Sequence, residues 1–385
     1  MAAKFLVIGD PHFKTSNIPD TEDFIEKTIQ LALKERPNYI ILLGDVLHEH
    51  ERLHTIPLNK AYEFIKAMSE ITMTYILVGN HDMINNQQFL TDNHWMNGLK
   101  QWDNIVIVDH PVQLLHNERS YVFCPYVPNG RFREALDTTF CNSNDSTPTS
   151  DFDWKTSTII FAHQEFKDCK MGAIVSQDGD LWDKSLPPVI SGHIHSNQKL
   201  LDGHIYYPGS AMQNAFGDPN NILAIISIED HVSHDSNNYK PYLCTEIDLL
   251  LRKKKIIYHD LDTIDTLDLD KIINSKDEIK LSLSGTYDDF KVFTKTPMAK
   301  KLVNNGTKLV HKNKSKKITS ENSTQDDPSV SSDEQNSHEI TINDTDDSLE
   351  KLVQNFIIQE QNNYIVSDFN YVFLNAPKDQ EIIML

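Results

Sequence analysis

The chain has 385 residues, of which 39% are apolar, which allows one large domain or two ordinary ones but not a chain packed along its whole length. A net charge of −20, from 36 basic and 56 acidic residues, argues against unaided binding to nucleic acid, where phosphate contacts carry most of the affinity. No apolar run is long enough to cross a bilayer, and the short apolar stretch at the start lacks the length and cleavage site of a leader, so the chain is expected inside the cell, in cytoplasm or nucleus and off the membrane.

Charge is unevenly spread. Residues 290–320 contain no acidic side chain, so an acidic body is followed by a basic segment and then by an acidic tail. Cys124, Cys141, Cys169 and Cys244 fit neither a zinc ribbon nor a CxxC pair and read as reduced thiols.

In chain order, residues 4–9 are a continuous apolar run, the pattern of a parallel strand covered on both faces. Phe24, Ile25, Thr28, Ile29, Leu31, Ala32 and Leu33 recur at helical spacing over 20–35, with Asp20 or Thr21 as the cap. Residues 39–44 repeat the strand pattern. Pro57 opens a second helix carrying Leu58, Ala61, Phe64, Ile65 and Met68, and 74–79 are a third strand. This β-α-β-α-β order implies right-handed crossovers and a parallel sheet. Each of the three strands ends in a glycine followed by a ligand-type residue: Gly9-Asp10, Gly44-Asp45 and Gly79-Asn80. Ligands in open α/β sheets gather beyond the carboxyl ends of strands, so these side chains are expected at one edge.

Further strands are predicted within 105–125 and at 157–163, 187–191, 204–208, 222–228 and 242–248, with a polar loop at 141–151. That closes a catalytic domain at 1–248. Residues 249–310 form a small second domain in which 279–285 alternate as a half-buried strand. Residues 311–347 nearly lack large apolar side chains and predict a disordered linker. The chain ends in a docking segment, 348–385, with helical periodicity over 349–365, suited to a partner or to this chain itself.

Five segments carry candidate chemistry: GDPHF (9–13), GDVLH (44–48), GNHD (79–82), FAHQEF (161–166) and SGHIHS (191–196). Each alone reads as a turn or a strand end. All five in order, each closing an apolar strand, point to two divalent ions acting on a phosphate ester. Asp10 and His12 project to the same side of an extended segment. Asp45 is central and suits the bridging carboxylate. Asn80 offers a neutral amide oxygen, and His163, His193 and His195 complete the set. Imidazole and carboxylate without thiolate suit manganese, iron or zinc better than calcium. His81 is left over beside a ligand and is expected to stabilise developing charge or to protonate the leaving oxygen. Asp82 either orients His81 or serves as a turn residue.

These residues resemble the calcineurin-like metallophosphoesterase superfamily, with its D-x-H, G-D, G-N-H-D/E, lone H and G-H-x-H segments. The resemblance implies an α/β fold, a two-sheet sandwich flanked by helices, here with a small α+β capping domain. It implies Asp10, His12, Asp45 and His195 on a first metal and Asp45, Asn80, His163 and His193 on a second. The cofactor is then two divalent metal ions, manganese first, with iron or zinc as alternatives. Phe13 and the VLHEHER run set the chain apart from protein Ser/Thr phosphatases. GDVLHE instead is similar to the SbcD-type DNA exonucleases, where a histidine three residues after the bridging aspartate helps position the DNA phosphate; His48 stands there. The 206–218 and 280–302 segments resemble the YPGS segment and capping domain of that group. The resemblance implies DNA as substrate, an SMC-like coiled-coil ATPase subunit as partner, and leaves a homodimer open. A small-molecule or nucleotide phosphodiesterase and a non-enzymatic scaffold on the same fold remain as alternatives. His50, His54, His94 and His110 are read as surface histidines.

Overall fold

The computed structural model describes residues 3–50, 52–138, 140–142, 148–149, 152–172, 174–218, 221–228 and 242–313. Its first sheet is built from β1 (Ala3–Ile8), β2 (Tyr39–Leu42), β3 (Thr74–Leu77) and β4 (Ile105–Val108), all parallel, as the alternating pattern requires. Leu223–Ile228 then adds antiparallel to β1 and carries Leu243–Ile247 at the edge. The crossovers are α1 (Ile18–Glu35) and α2 (Thr55–Ile71).

A second, eight-stranded sheet lies against the first. At its centre Ile159–His163 runs parallel to both Val189–Gly192 and Arg119–Cys124. Alternate residues of β1 divide between two cores. Phe5 and Val7 join the layer between the sheets, with Tyr75, Tyr121, Phe123 and Phe161, whereas Leu6 and Ile8 pack with Phe24 of α1 and Phe64 of α2. The inter-sheet layer is aromatic and closely stacked: Tyr75 and Phe123 lie 4.2 Å apart at 7°, and Phe5 lies 5.3 Å from Phe161. The far face of the second sheet is covered by Phe132, Trp154, Phe166 and Trp182. Burial on both faces is why these strands read as unbroken apolar runs.

Residues 254–313 make a third layer of their own. Lys254–Asp260, Glu278–Gly285 and Lys308–Asn313 form a parallel sheet, and Leu281, Leu283, Phe293 and Leu302 form a separate core with its helices. The middle strand is the one whose alternation was legible. The linker expected at 311–347 starts too early, since 311–313 complete the strand Lys308–Asn313; its remainder and the 348–385 docking segment lie outside the described residues. No helix among the described residues is long and apolar enough to cross a membrane.

Three local expectations change. α1 starts at Ile18 with Asn17 as its N-cap, because Pro19 is tolerated in a first turn; Asp20, expected as the cap, lies in that turn and accepts from Arg252. Leu33 is 57% exposed, so it lies off the buried stripe. Within the polar 141–151 stretch, Phe140–Asn142 and Pro148–Thr149 pair as short edge strands of the second sheet.

Candidate metal centre

The two sheets bring their strand ends to one edge. Asp10 and His12 follow β1, Asp45 follows β2, Asn80 follows β3, His163 ends its strand, and His193 and His195 follow the strand beside it. Gly192 and His163 are register partners. The backbone there is forced: His12, Asp45 and His193 all adopt positive φ, at 49°, 50° and 77°. Such conformations are costly for side-chain-bearing residues and persist where the surroundings over-determine them, as at functional sites. Three glycines make the convergence possible, and at Gly79 a Cβ would stand 2.2 Å from Asp45 Oδ1. Gly44 has φ 113°, and a Cβ there would stand 2.5 Å from His163 Nδ1. A Cβ on Gly192 would stand 2.5 Å from Asp10 Oδ1 and 2.9 Å from His163 Nδ1.

The side chains fall into two groups. Asp10, His12 and His195 offer ligand atoms within 4.8 Å of one another, and so do Asp45, His163 and His193. Asn80 joins the second group, its Oδ1 lying 2.9 Å from His193 Nδ1 and 3.1 Å from His163 Nε2. Asp45 Oδ2 lies between the groups, 3.7 Å from His12 Nε2 and 3.4 Å from His163 Nε2. His163 donates from Nδ1 to the Leu43 carbonyl at 2.6 Å, which fixes its tautomer and leaves Nε2 as the ligand atom.

These residues fit a pair of divalent ions. His12 Nε2 and His195 Nε2 face each other at 2.9 Å. Two nitrogens bound at right angles to one ion at about 2.1 Å would stand about 3 Å apart. Asp10 Oδ1 is buried with no hydrogen-bond partner, which is costly unless a cation meets it. Burial, offset in part by His163 and reinforced by the Asp45 charge, raises the Asp10 carboxyl to about 7. Burial opposes ionisation of Asp45 too, yet His163 and His12 hold it well below the usual range. His163 is lowered by burial but carried up to about 9 by Asp45 and Asp10. Burial drives His193 down to about 3 and His12 well below its ordinary value. Three imidazoles held neutral by burial, an ionised Asp45 and an unpartnered Asp10 oxygen converge in one small volume, a donor set that suits divalent cations.

His81 and His48 stand beside this centre. His81 donates from Nδ1 to the His48 carbonyl at 2.6 Å, and its backbone N–H donates to Asp45 Oδ1 at 2.8 Å. Its ring is edge-on to His12 at 4.9 Å and stacks on His48 at 5.6 Å. His48 Nδ1 is buried without a partner; burial, then Lys14 and His81, push His48 down to about 4, so its ring is neutral near pH 7.

Some neighbours were not legible beforehand. Asp82 accepts from the backbone N–H groups of Asp45 (2.8 Å) and Gly79 (3.0 Å) and from Trp95 Nε1 (2.9 Å), so it ties two ligand loops together. That is the turn role, and none of these bonds reaches the His81 ring. Glu165, two residues after His163, lies 3.9 Å from His193 Nε2 and is held by Asn129 and Ser176. Its place at i+2 on a strand end was the available signal. His50, expected on the surface, stacks on His81 at 4.4 Å and is half-buried. His94 is also not a surface histidine: its side chain is buried against Asp109 at 3.1 Å. His54 and His110 are exposed.

A double sheet whose strand ends converge on two Asp/His clusters is the architecture of a metal-dependent phosphoesterase. A profile of the calcineurin-like phosphoesterase family matches residues 3–197, and the chain belongs to that family. It is 42% identical over 301 residues to 078R of Invertebrate iridescent virus 3, covering 78% of this chain and 82% of that protein. It is 44% identical over 294 residues to 244L of Invertebrate iridescent virus 6, covering 76% of this chain and 97% of that one. Both relatives are named as candidate phosphoesterases. Among solved structures, YfcE, a phosphoesterase from E. coli, aligns with 14% identity over 59% of this chain and 88% of its own, at a TM-score of 0.28.

Proposed function

We propose that this phosphoesterase cleaves phosphodiester bonds in DNA, as an exo- and endonuclease of the SbcD double-strand-break repair type. The observation that carries the reading is His48, three residues after Asp45, neutral, with an unpartnered buried Nδ1, its ring beside those of both His12 and His81. A neutral imidazole offers an N–H to a phosphate that already carries its charge toward the metal centre. Lys14 stands near His48, and further lysines gather at the 213–216 turn, where Lys254 and Lys308 are also paired with Asp20 and Glu278. Lys14 donates to the Asn214 carbonyl, Lys254 holds Gln213, and the ammonium groups of Lys280 and Lys308 sit 4.9 Å and 5.1 Å from the Phe216 ring.

In this reading Asp10, His12, Asp45, Asn80, His163, His193 and His195 hold two divalent ions, manganese first. Bound ions supply Lewis-acid polarisation of the phosphoryl group and lower the pKa of water. His48 orients the phosphate. His81 donates a proton from Nε2 to the leaving oxygen while the His48 carbonyl, accepting from Nδ1–H, supports the imidazolium. Asp82 keeps the Asp45 and Asn80 loops in register. A coiled-coil ATPase partner, engaged through residues 348–385, would supply the basic surface that the −20 chain lacks.

The test is manganese-dependent degradation of duplex DNA by the purified chain and by Asp45→Ala. Degradation by the first and not the second is expected; equal activity in both, or none with any divalent metal, overturns the reading. The net charge favours a second reading, a nucleotide or small cyclic phosphodiester as substrate. Duplex DNA that fails to compete with a chromogenic phosphodiester would decide for it.

A further inference from the structure

Beside the metal centre lies an open cleft of about 580 Å³ with Glu49, His50 and Arg52 on one side and residues 84–87 on the other, within the size range of small-molecule sites. Nothing in the metal chemistry uses it, yet it is joined to that chemistry at two points. His50, on one wall, stacks on His81 at 4.4 Å and 20°. Asn86, on the other, accepts from Nδ2 of Asn80 at 3.3 Å, and its carbonyl accepts from Tyr126 Oη at 3.3 Å. The cleft therefore opens beside both a candidate metal ligand, Asn80, and His81.

We infer that the cleft is a nucleoside subsite, taking the base and sugar attached to the scissile phosphate. The inference rests on the phosphodiesterase reading and deepens it. The lining is the chemistry a nucleobase needs. Gln87 presents an amide with no side-chain hydrogen bond to any described residue, a group that donates and accepts at once and so pairs with a base edge. Ile84, 46% exposed, offers an apolar face, and the His50 ring on the cleft wall offers an aromatic surface for a base. Arg52 enters no ion pair with any described residue and stands at the cleft for a further phosphate or the sugar. A bare phosphate or a sugar phosphate would leave the Ile84 and Gln87 wall uncontacted.

The experiment is calorimetry on the full, manganese-loaded chain with adenosine monophosphate, ribose phosphate and inorganic phosphate. Adenosine monophosphate should bind at least about tenfold tighter than ribose phosphate, the scale of one good base-edge pairing. In Gln87→Ala and Ile84→Ser, checked for unchanged metal content and circular dichroism, that advantage should fall to about twofold or less. Equal affinity for the three probes in the natural chain, or an advantage undiminished in both variants, overturns the subsite. Hydrolysis of a chromogenic phosphodiester, measured alongside, separates the two readings. Base-dependent binding without any hydrolysis sinks the phosphodiesterase and leaves the subsite standing. Hydrolysis without base-dependent binding sinks the subsite alone.

Discussion

His12 Nε2 and His195 Nε2 face each other at 2.9 Å across a sequence separation of 183, a hydrogen-bonded pair of neutral imidazoles whose two Nε2 atoms are also placed to share one ion. With metal bound, both lone pairs converge on one cation. His195→Ala should then lower bound metal from two equivalents to one while the Asp45, His163 and His193 group keeps its ion. Elemental analysis after gel filtration reads the ratio. Two equivalents retained in the variant would remove His195 from the ligand set.

His81 is fixed by its bond to the His48 carbonyl and by its backbone bond to Asp45, but its Nε2 is free of both. If that nitrogen protonates the leaving oxygen, His81→Ala should cut kcat for a phosphodiester with a poor leaving group by about 10²- to 10⁴-fold, the usual contribution of a positioned acid. A nitrophenolate leaving group needs no proton, so the same variant should lose far less against it. An equal loss on both substrates assigns His81 to phosphate binding instead.

The buried centre also sets a pH dependence for the metal-free chain. His163 rises from its ordinary 6.5 to about 9, against burial, through Asp45 and Asp10. Across that window the folded state holds a proton that the unfolded state releases, so His163's contribution to stability is present below 6.5 and lost as pH climbs to 9. Raised Asp10 acts in the same direction up to about 7. Divalent metal needs both groups deprotonated, so its gain in Tm should grow over the same range. Thermal melts at pH 6.5, 7.5 and 9 with chelator and with manganese read both trends. A metal-free Tm that rises toward pH 9 would contradict the assignment.

The parallel sheet was legible because β1, β2 and β3 are covered on both faces, which leaves an apolar run that polar residues interrupt only at the functional edge. The convergence of the seven candidate ligands was legible because a glycine precedes four of them, Asp10, Asp45, Asn80 and His193, and packing explains why: at Gly44 and Gly192 there is no room for a Cβ beside His163. What the residue pattern withheld was support at longer range. Glu165 and His50 act through neighbours 28 to 31 positions away or more in the chain, and no local period marks such pairs. His94 looked like an exposed histidine because Asp109, the residue that buries it, is 15 positions on. The start of α1 was misplaced because Asp20 and Thr21, cap-type residues just before the apolar period, resemble a cap more than Asn17 ahead of Pro19 does.

Asp82 supplies the last prediction, since it sits under the metal centre without belonging to it. Its two oxygens accept from Asp45 N, Gly79 N and Trp95 Nε1, all buried or nearly so, and burial with the Asp45 charge raises its carboxyl to about 6. Asp82→Ala strands three donors and frees the Asp45 turn, whose positive φ depends on being held. The loss should be about 3 kcal/mol of unfolding free energy in urea titration of the metal-free chain, from stranded buried donors at roughly 1–3 kcal/mol each with partial relaxation. Asp82→Asn keeps one acceptor oxygen for the backbone pair and should recover about half of that. Because Asp45 would shift with its turn, metal affinity should fall along with stability in the alanine variant and partly return in the asparagine one. Stability lost without any change in metal affinity would mean that the Asp45 loop holds its shape through Gly44 and His163 alone.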